Sequence, residues 1–135
     1  NARLFAGVVT SAVALTPGTP AVDVVPEIAV DDTDLVSRRL HGLGPMAGTD
    51  LDALLRNLGV STIVGVGVSV NVVMTNFVMD AVNLGYQFVL PRDGVAGLPV
   101  DYADAVIDNT LSLLATVTTV GAVTASWGAD GVSVA

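Results

Sequence analysis

The chain has 135 residues, of which 52% are hydrophobic and 13% charged, and this is enough for one domain around a single core. Its 13 acidic residues against five arginines give a formal net charge of -8. Such a surface repels phosphate backbones, so we expect no nucleic-acid partner. Neither cysteine nor lysine occurs, which excludes disulfides, thiolate zinc sites and cysteine nucleophiles. We predict no metal and no cofactor.

Hydrophobic periodicity predicts strands and helices in alternation along most of the chain. Unbroken apolar runs are typical of strands that are covered on both faces. Regular alternation indicates right-handed βαβ units and a parallel sheet, and therefore one α/β domain over residues 1–135. In chain order the predicted elements are a helix over 2–14, a helical turn over 20–28, a strand over 34–40, a helix opened by Thr49 and ended by Gly59, a strand over 60–68, a helix from Ser69 to Gly85, a strand over 86–90, a helix opened by Asp101, a strand over 116–120 and a helix over 123–127.

Side-chain patterns add detail to these elements. Thr49 is predicted to cap its helix, with Asp52 completing a capping box. Ser69 is predicted to be the N-cap of the helix that follows it. Trp127 is expected to cover the core near the C-terminus. The inward-facing apolar residues are predicted to be Leu51, Leu54, Leu55, Leu58, Val70, Val73, Met74, Phe77, Ala81, Leu84, Ala103, Val106, Ile107 and Leu114.

Two charge-free stretches, Leu58–Met79 and Thr110–Ala129, are about long enough to span a bilayer. Both carry polar side chains, which need partners in lipid. A buried strand followed by a buried helix explains the first stretch better, so we expect no membrane partner and a cytoplasmic location. A short signal sequence is the alternative for Leu4–Leu15, where an amphipathic helix is the favoured interpretation. The acidic group at 31, 32 and 34 lacks calcium-loop spacing and is predicted to be a solvated turn.

Several segments, in this order and spacing, resemble the isochorismatase-like superfamily, which includes nicotinamidases and related cysteine hydrolases. The similarity covers roughly residues 34–127. The segments are Ala47-Gly48-Thr49-Asp50-Leu51-Asp52, Leu55-Arg56-Asn57-Leu58-Gly59-Val60, Gly67-Val68-Ser69-Val70-Asn71-Val72-Val73, Asp80-Ala81, Gly85-Tyr86 and Pro91-Arg92-Asp93-Gly94-Val95-Ala96-Gly97.

The resemblance implies a three-layer α/β sandwich, with a parallel sheet flanked by helices, and a homo-oligomer. It also implies a non-proline cis peptide at Val68-Ser69, whose backbone donors would form an oxyanion hole. No segment resembles the family's first strand, so we expect this chain to lack the first strands and an N-terminal portion of the domain.

The family's catalytic residues, an Asp, a Lys and a Cys, are not matched here. The aspartate ends the missing first strand, and the lysine position falls at Leu40, beside Arg38 and Arg39. The cysteine position is Val73, which has no lone pair to attack with. An arginine stays protonated and cannot shuttle a proton as a lysine does.

Other catalytic and binding interpretations are weaker than the structural ones. Gly67-Val68-Ser69-Val70-Asn71 approaches a nucleophile elbow but lacks its final glycine, so capping is favoured over a Ser69 nucleophile. Gly65 and Gly67 lack the third glycine of a dinucleotide loop. His41, with Arg38 and Arg39, lies at the C-terminal end of a predicted strand, where ligands of open α/β sheets bind, although a structural hydrogen bond is the simpler role.

We therefore predict an isochorismatase-family hydrolase-like protein that is inactive by the Asp-Lys-Cys route and acts as a binding or structural subunit for a small-molecule ligand. Its predicted pocket combines Arg39 and His41 with a turn. The turn residues are Val68, Ser69, Asn71 and Val73. The alternative is an active hydrolase of small amide or ether substrates, whose altered catalytic set is completed by the missing N-terminal portion.

Overall fold

The computed structural model of the protein describes residues 3, 6–7, 10, 15–38 and 43–129. The chain divides into two compact units, Asn1–Val36 and Ser37–Ala135. This division does not decide whether the chain is one domain, so the single domain over residues 1–135 stays a prediction.

The first unit contains a 3-10 turn at Pro20–Val22, shorter than the predicted turn over 20–28. Its acidic group forms a local turn as expected: the Thr33 amide donates to Asp31 (3.0 Å), and the Asp31 amide donates to Asp34 (2.7 Å). The hydrogen bonds that the backbone and the side chain of Thr33 donate to Asp31 hold the pKa of Asp31 below its ordinary value.

The predicted strand over 34–40 is wrong for residues 34–38, which form no strand, and 39–40 lie outside the described residues. An apolar run indicates a strand only when a neighbour completes its ladder. None of the ladders in the described part of the chain includes this run. The predicted helix over 2–14 falls mostly on residues that are not described.

The second unit alternates strands with helices, as predicted. A π-helical turn, Val70–Met74, continues directly into α2, and 3-10 turns occupy Arg92–Gly94 and Leu111–Leu113. The elements are α1 (Leu51–Asn57), β1 (Thr62–Val64), β2 (Gly67–Val68), α2 (Thr75–Asn83), β3 (Gln87–Pro91), β4 (Val95–Ala96), α3 (Val100–Asn109), β5 (Thr116–Thr118) and α4 (Val120–Ala129).

All the strand pairs are parallel, which confirms the α/β class with parallel strands flanked by helices. One sheet has the order β1-β3-β5, in which Ile63 lies beside Phe88 and Leu90 beside Val117. A second, two-stranded ladder joins β2 to β4. The helices between successive strands make the crossover connections that parallel pairing requires.

The core lies between the three-stranded sheet and the helices α2 and α3. Leu90 and Leu111 are fully buried, and the rings of Phe77 and Phe88 pack edge to face at 5.0 Å. Burying each large side chain of this kind contributes roughly 1.5–3 kcal/mol. The buried apolar residues are Met46, Ile63, Val70, Met74, Val78, Ala81, Tyr86, Phe88, Leu90, Ala103, Val106, Ile107 and Leu111.

The predicted strand over 60–68 is divided in two. β1 ends at Val64, and the Gly65 amide still donates to the carbonyl of Val89 (3.0 Å). A side chain at Gly65 would overlap the ring of Phe88, so the chain passes the core here as bare backbone. It then leaves this sheet and pairs with β4 as β2.

Three apolar residues predicted to face inward are exposed instead. Leu58 and Leu84 each follow the last residue of a helix, where the helical spacing that predicted their direction no longer applies. Trp127 is 58% exposed on α4 and does not cover the core. Hydropathy alone does not distinguish a helix that packs on the core from one whose apolar face stays open.

The predicted capping box at α1 is also wrong, although Thr49 does accept a hydrogen bond from the Leu51 amide (3.2 Å). Asp52 turns away and accepts a hydrogen bond from the Tyr86 hydroxyl (2.8 Å) and one from Arg56. The Tyr86 hydrogen bond, with Arg56 adding to it, lowers the pKa of Asp52. Burial and donation to Asp52 raise the pKa of Tyr86.

Candidate functional site

The candidate site is the turn that links β2 to α2. The peptide Val68-Ser69 is cis, which confirms the position that the resemblance implied. Ser69 is extended (φ -99°, ψ 141°), and its carbonyl accepts hydrogen bonds from the amides of Val72 (3.3 Å) and Met74 (3.1 Å). Ser69 therefore stands at the N-cap position as predicted, but its hydroxyl makes no capping hydrogen bond.

The backbone after Ser69 presents a helix N-terminus. The five-residue π turn runs without a break into the nine residues of α2. The first N–H groups of a helix have no partner within it, and the aligned peptide dipoles make this end positive. Carbonyl oxygens and carboxylates are the groups that such an end stabilises.

Val73 lies in this first turn and is half-buried, whereas Val70 and Met74 of the same turn are buried. A thiol at this place would have its pKa lowered by the helix N-terminus and could act as a nucleophile. Valine offers no such group. The turn can therefore orient and polarise a carbonyl, but no nucleophile is present at position 73.

A second loop borders the turn. β4 pairs with β2 so that Ala96 lies beside Val68, and the chain continues through Gly97 and the cis peptide Leu98-Pro99 into α3. The Asn71 side-chain amide donates to the carbonyl of Leu98 (3.0 Å) and ties this loop to the turn.

Arg92 and Asp93, directly after β3, hold the two helices that follow. Arg92 donates to Asp104 (2.9 Å) and to Asp108 on α3. These contacts raise the pKa of Arg92, and the hydrogen bond from Arg92 lowers the pKa of Asp108. Asp93 accepts a hydrogen bond from the amide of Val120 (2.7 Å) at the start of α4. The spacing of Asp104 and Asp108, four residues apart, was a signal in the sequence for one basic partner.

The structure places four of the predicted site residues, Val68, Ser69, Asn71 and Val73, on this one turn. Arg39 and His41, the other two, lie outside the described residues, so their place in a pocket stays a prediction. Within the described ranges, no three carboxylate or imidazole side chains gather closely enough to hold a metal ion. In the same part of the chain, no helix has the length and apolar character needed to cross a membrane.

The chain belongs to the isochorismatase family, since the model of the isochorismatase domain matches residues 5–122. YwoC of Bacillus subtilis, an uncharacterized isochorismatase family protein, is 40% identical over 73 residues, which are 53% of this chain and 38% of that protein.

Solved structures agree in fold. An isochorismatase-like hydrolase from Alkaliphilus metalliredigens is 27% identical, with a TM-score of 0.76 over 82% of this chain and 60% of its own. A cysteine hydrolase from Pseudomonas syringae, 24% identical, has a TM-score of 0.78 over 89% and 60%. N-carbamoylsarcosine amidase from Thermoplasma acidophilum, 25% identical, has a TM-score of 0.67 over 76% and 57%. The chain thus spans about 60% or less of each of these proteins.

Proposed function

We propose that this isochorismatase-family chain acts as a binding or structural subunit and does not hydrolyse substrates by the Asp-Lys-Cys route. The observation that carries the proposal is Val73, which occupies the first turn after the cis peptide in a chain without any cysteine or lysine. Chemistry by the family's thiolate needs a lone pair at this place. Binding needs only the backbone donors, which remain.

The proposed ligand is a small molecule that presents a carbonyl or carboxylate group to the turn. The helix N-terminus behind Ser69 supplies a positive dipole end and the N–H groups of a first helical turn, of which that of Val72 is bonded to Ser69, and both features favour such an oxygen. The net charge of -8 opposes anions over the rest of the surface. A neutral carbonyl is therefore favoured over a carboxylate.

An NMR titration with acetamide and with acetate tests this binding. We expect the backbone amide signals of residues 69–73 to shift, and to shift more with acetamide than with acetate at equal concentration. The amides that open α1 (Leu51 onward) are an internal control, because they also begin a helix but belong neither to the turn nor to the loop bound to it. Equal shifts at both helix starts, or no shift at 69–73, would refute the proposed site.

The S69A variant separates binding from the alternative function, an active hydrolase with an altered catalytic set. The Ser69 hydroxyl makes no capping hydrogen bond, so S69A should bind acetamide as the wild type does. N-carbamoylsarcosine, the substrate named for the amidase of similar fold, is a suitable amide for the assay. Ammonia release by the wild-type chain that S69A abolishes would identify Ser69 as a nucleophile and replace the proposal with the alternative.

We also propose that the chain forms a homo-oligomer. Exposed apolar side chains on α4, including Val120 and Trp127, support this, because contiguous apolar surface favours association. Light scattering coupled to size exclusion measures the mass directly. A mass equal to one chain at high concentration would contradict the proposal. The cytoplasmic location stays a prediction.

A further inference from the structure

Asn71 has an unusual environment on the candidate turn. Its Nδ2 donates to the carbonyl of Leu98, whereas its Oδ1 is buried without a hydrogen-bond partner, and it is the one such side-chain atom in the described part of the chain. A buried acceptor without a partner destabilises the folded chain. An apolar side chain at position 71 would avoid this destabilisation. We therefore expect the hydrogen bond that Asn71 donates to have a role that outweighs it.

That reason lies in the loop to which Asn71 is bound. Leu98 is 79% exposed, so its own burial does not hold it in place. Gly97 packs so closely that an added Cβ would lie 2.9 Å from both Asn71 Oδ1 and Ala103 Cβ. The hydrogen bond from Asn71 thus links this loop to the turn across 27 residues of sequence.

The held loop places apolar side chains next to the turn. Val68 and Ala96 are register partners in the β2–β4 ladder, so their side chains share a face, and both are exposed. Leu98 lies in a bend just beyond β4, and its carbonyl is 3.0 Å from Nδ2 of Asn71, so its backbone lies beside the turn.

We propose that Asn71 is a positioning residue that holds Leu98 as an apolar contact for the ligand bound at the turn. Leu98 would then be a specificity-determining residue that selects carbonyl compounds with an apolar body over small polar ones. This inference rests on the proposed binding function.

The test compares benzamide with acetamide, two neutral amides that differ in apolar body, by NMR titration of the turn amides. The L98A variant should weaken benzamide binding about three- to tenfold, because it removes most of one apolar side chain from the contact. Acetamide binding should not change. L113A is the matched control, since Leu113 is 80% exposed and lies after α3; it should leave both affinities unchanged.

The N71D variant tests the positioning role. At neutral pH the introduced carboxylate cannot donate to Leu98, so the preference for benzamide over acetamide should fall as in L98A. Lowering the pH until that carboxyl is protonated restores a donor and should restore benzamide binding. N109D is the control, because Asn109 also donates from Nδ2 to a backbone carbonyl (Ala105, 2.9 Å) but far along α3.

The double variant N71D/L98A decides whether Asn71 acts through Leu98. If it does, the double variant should bind benzamide as weakly as either single variant and no more weakly. Additive losses, or a benzamide preference that survives L98A, would overturn the inference. L98A alone keeps the test decisive if N71D does not fold. Wild-type protein that binds neither amide at residues 69–73 would instead refute the proposed function itself.

Discussion

Because the chain contains no cysteine, a single introduced thiol reports directly on the electrostatics of the candidate turn. V73C places the thiol in the first turn after Ser69, and V82C places it in the last turn of the same helix. Both valines are half-buried, so desolvation raises the pKa of the two thiols to a similar extent. The helix dipole, in contrast, acts in opposite directions at the two ends.

The magnitude follows from the position of each thiol. A charge at a helix end interacts with the dipole by about 0.3–2 kcal/mol, and one pKa unit is worth about 1.4 kcal/mol. The pKa of the V73C thiol should therefore be about 0.2–1.5 units lower than burial alone would give. The pKa of the V82C thiol should be higher than burial alone would give. Arg56 donates to the Leu84 carbonyl (2.9 Å) at the C-terminal end and offsets part of that rise. Before this offset we expect the pKa of the V73C thiol to lie about 0.4–3 units below that of the V82C thiol.

The rate of alkylation by iodoacetamide, measured against pH, gives both pKa values. In urea the two thiols should titrate together near the ordinary cysteine value of about 8.5. Equal pKa values in the folded variants, or a lower value for V82C, would refute the claim that the turn presents a positive helix end. The binding proposal would then lose its electrostatic basis.

Three further variants test the packing and charges around the site, by urea or thermal unfolding. L90A should lower the free energy of unfolding by about 2–5 kcal/mol, because Leu90 is fully buried in the central strand β3. L113A, at an exposed site, should change it by no more than about 0.5 kcal/mol, and similar losses in the two variants would contradict the core assignment. G97A should lower the free energy of unfolding by about 1–3 kcal/mol through overpacking against Ala103. G128A has open space around its position on α4 and should be neutral or stabilising. A neutral G97A would show that the loop moves to accommodate the methyl group. Asp108 has a pKa below its ordinary 3.8 because of Arg92. The pair therefore stabilises the fold above pH 3.8, and this stabilisation is lost as the pH falls through the folded-state pKa of Asp108. R92Q should lower the thermal midpoint more at pH 6 than at pH 2, and an equal loss at both would show that the pair does not contribute.

The order of strands and helices was predictable because periodicity is a local property. The run from Val70 to Gly85 shows this well: its apolar spacing predicted a helix, and the helix ends where Gly85 adopts a positive φ of 89°. The four turn residues of the predicted site lie on one turn because they are nearly adjacent in sequence, and their role in binding stays a prediction.

Contacts between distant residues were not predictable in the same way. Asp52 was expected to cap its own helix, but it pairs with Tyr86, 34 residues away. The division of the strand at Gly65 depends on the ring of Phe88 across the sheet. The bond from Asn71 to Leu98 likewise joins segments whose proximity is set by the β2–β4 pairing. Local sequence patterns carry no information on which distant partner satisfies a polar group.

We propose that the turn binds a carbonyl but does not cleave the molecule that carries it. One NMR experiment with isotope-labelled acetamide and the wild-type chain tests both halves in the same tube. We expect the amides of residues 69–73 to shift on addition of acetamide and no labelled ammonium signal to appear over days. An ammonium signal that grows with protein concentration, or the absence of any shift at the turn, would contradict it.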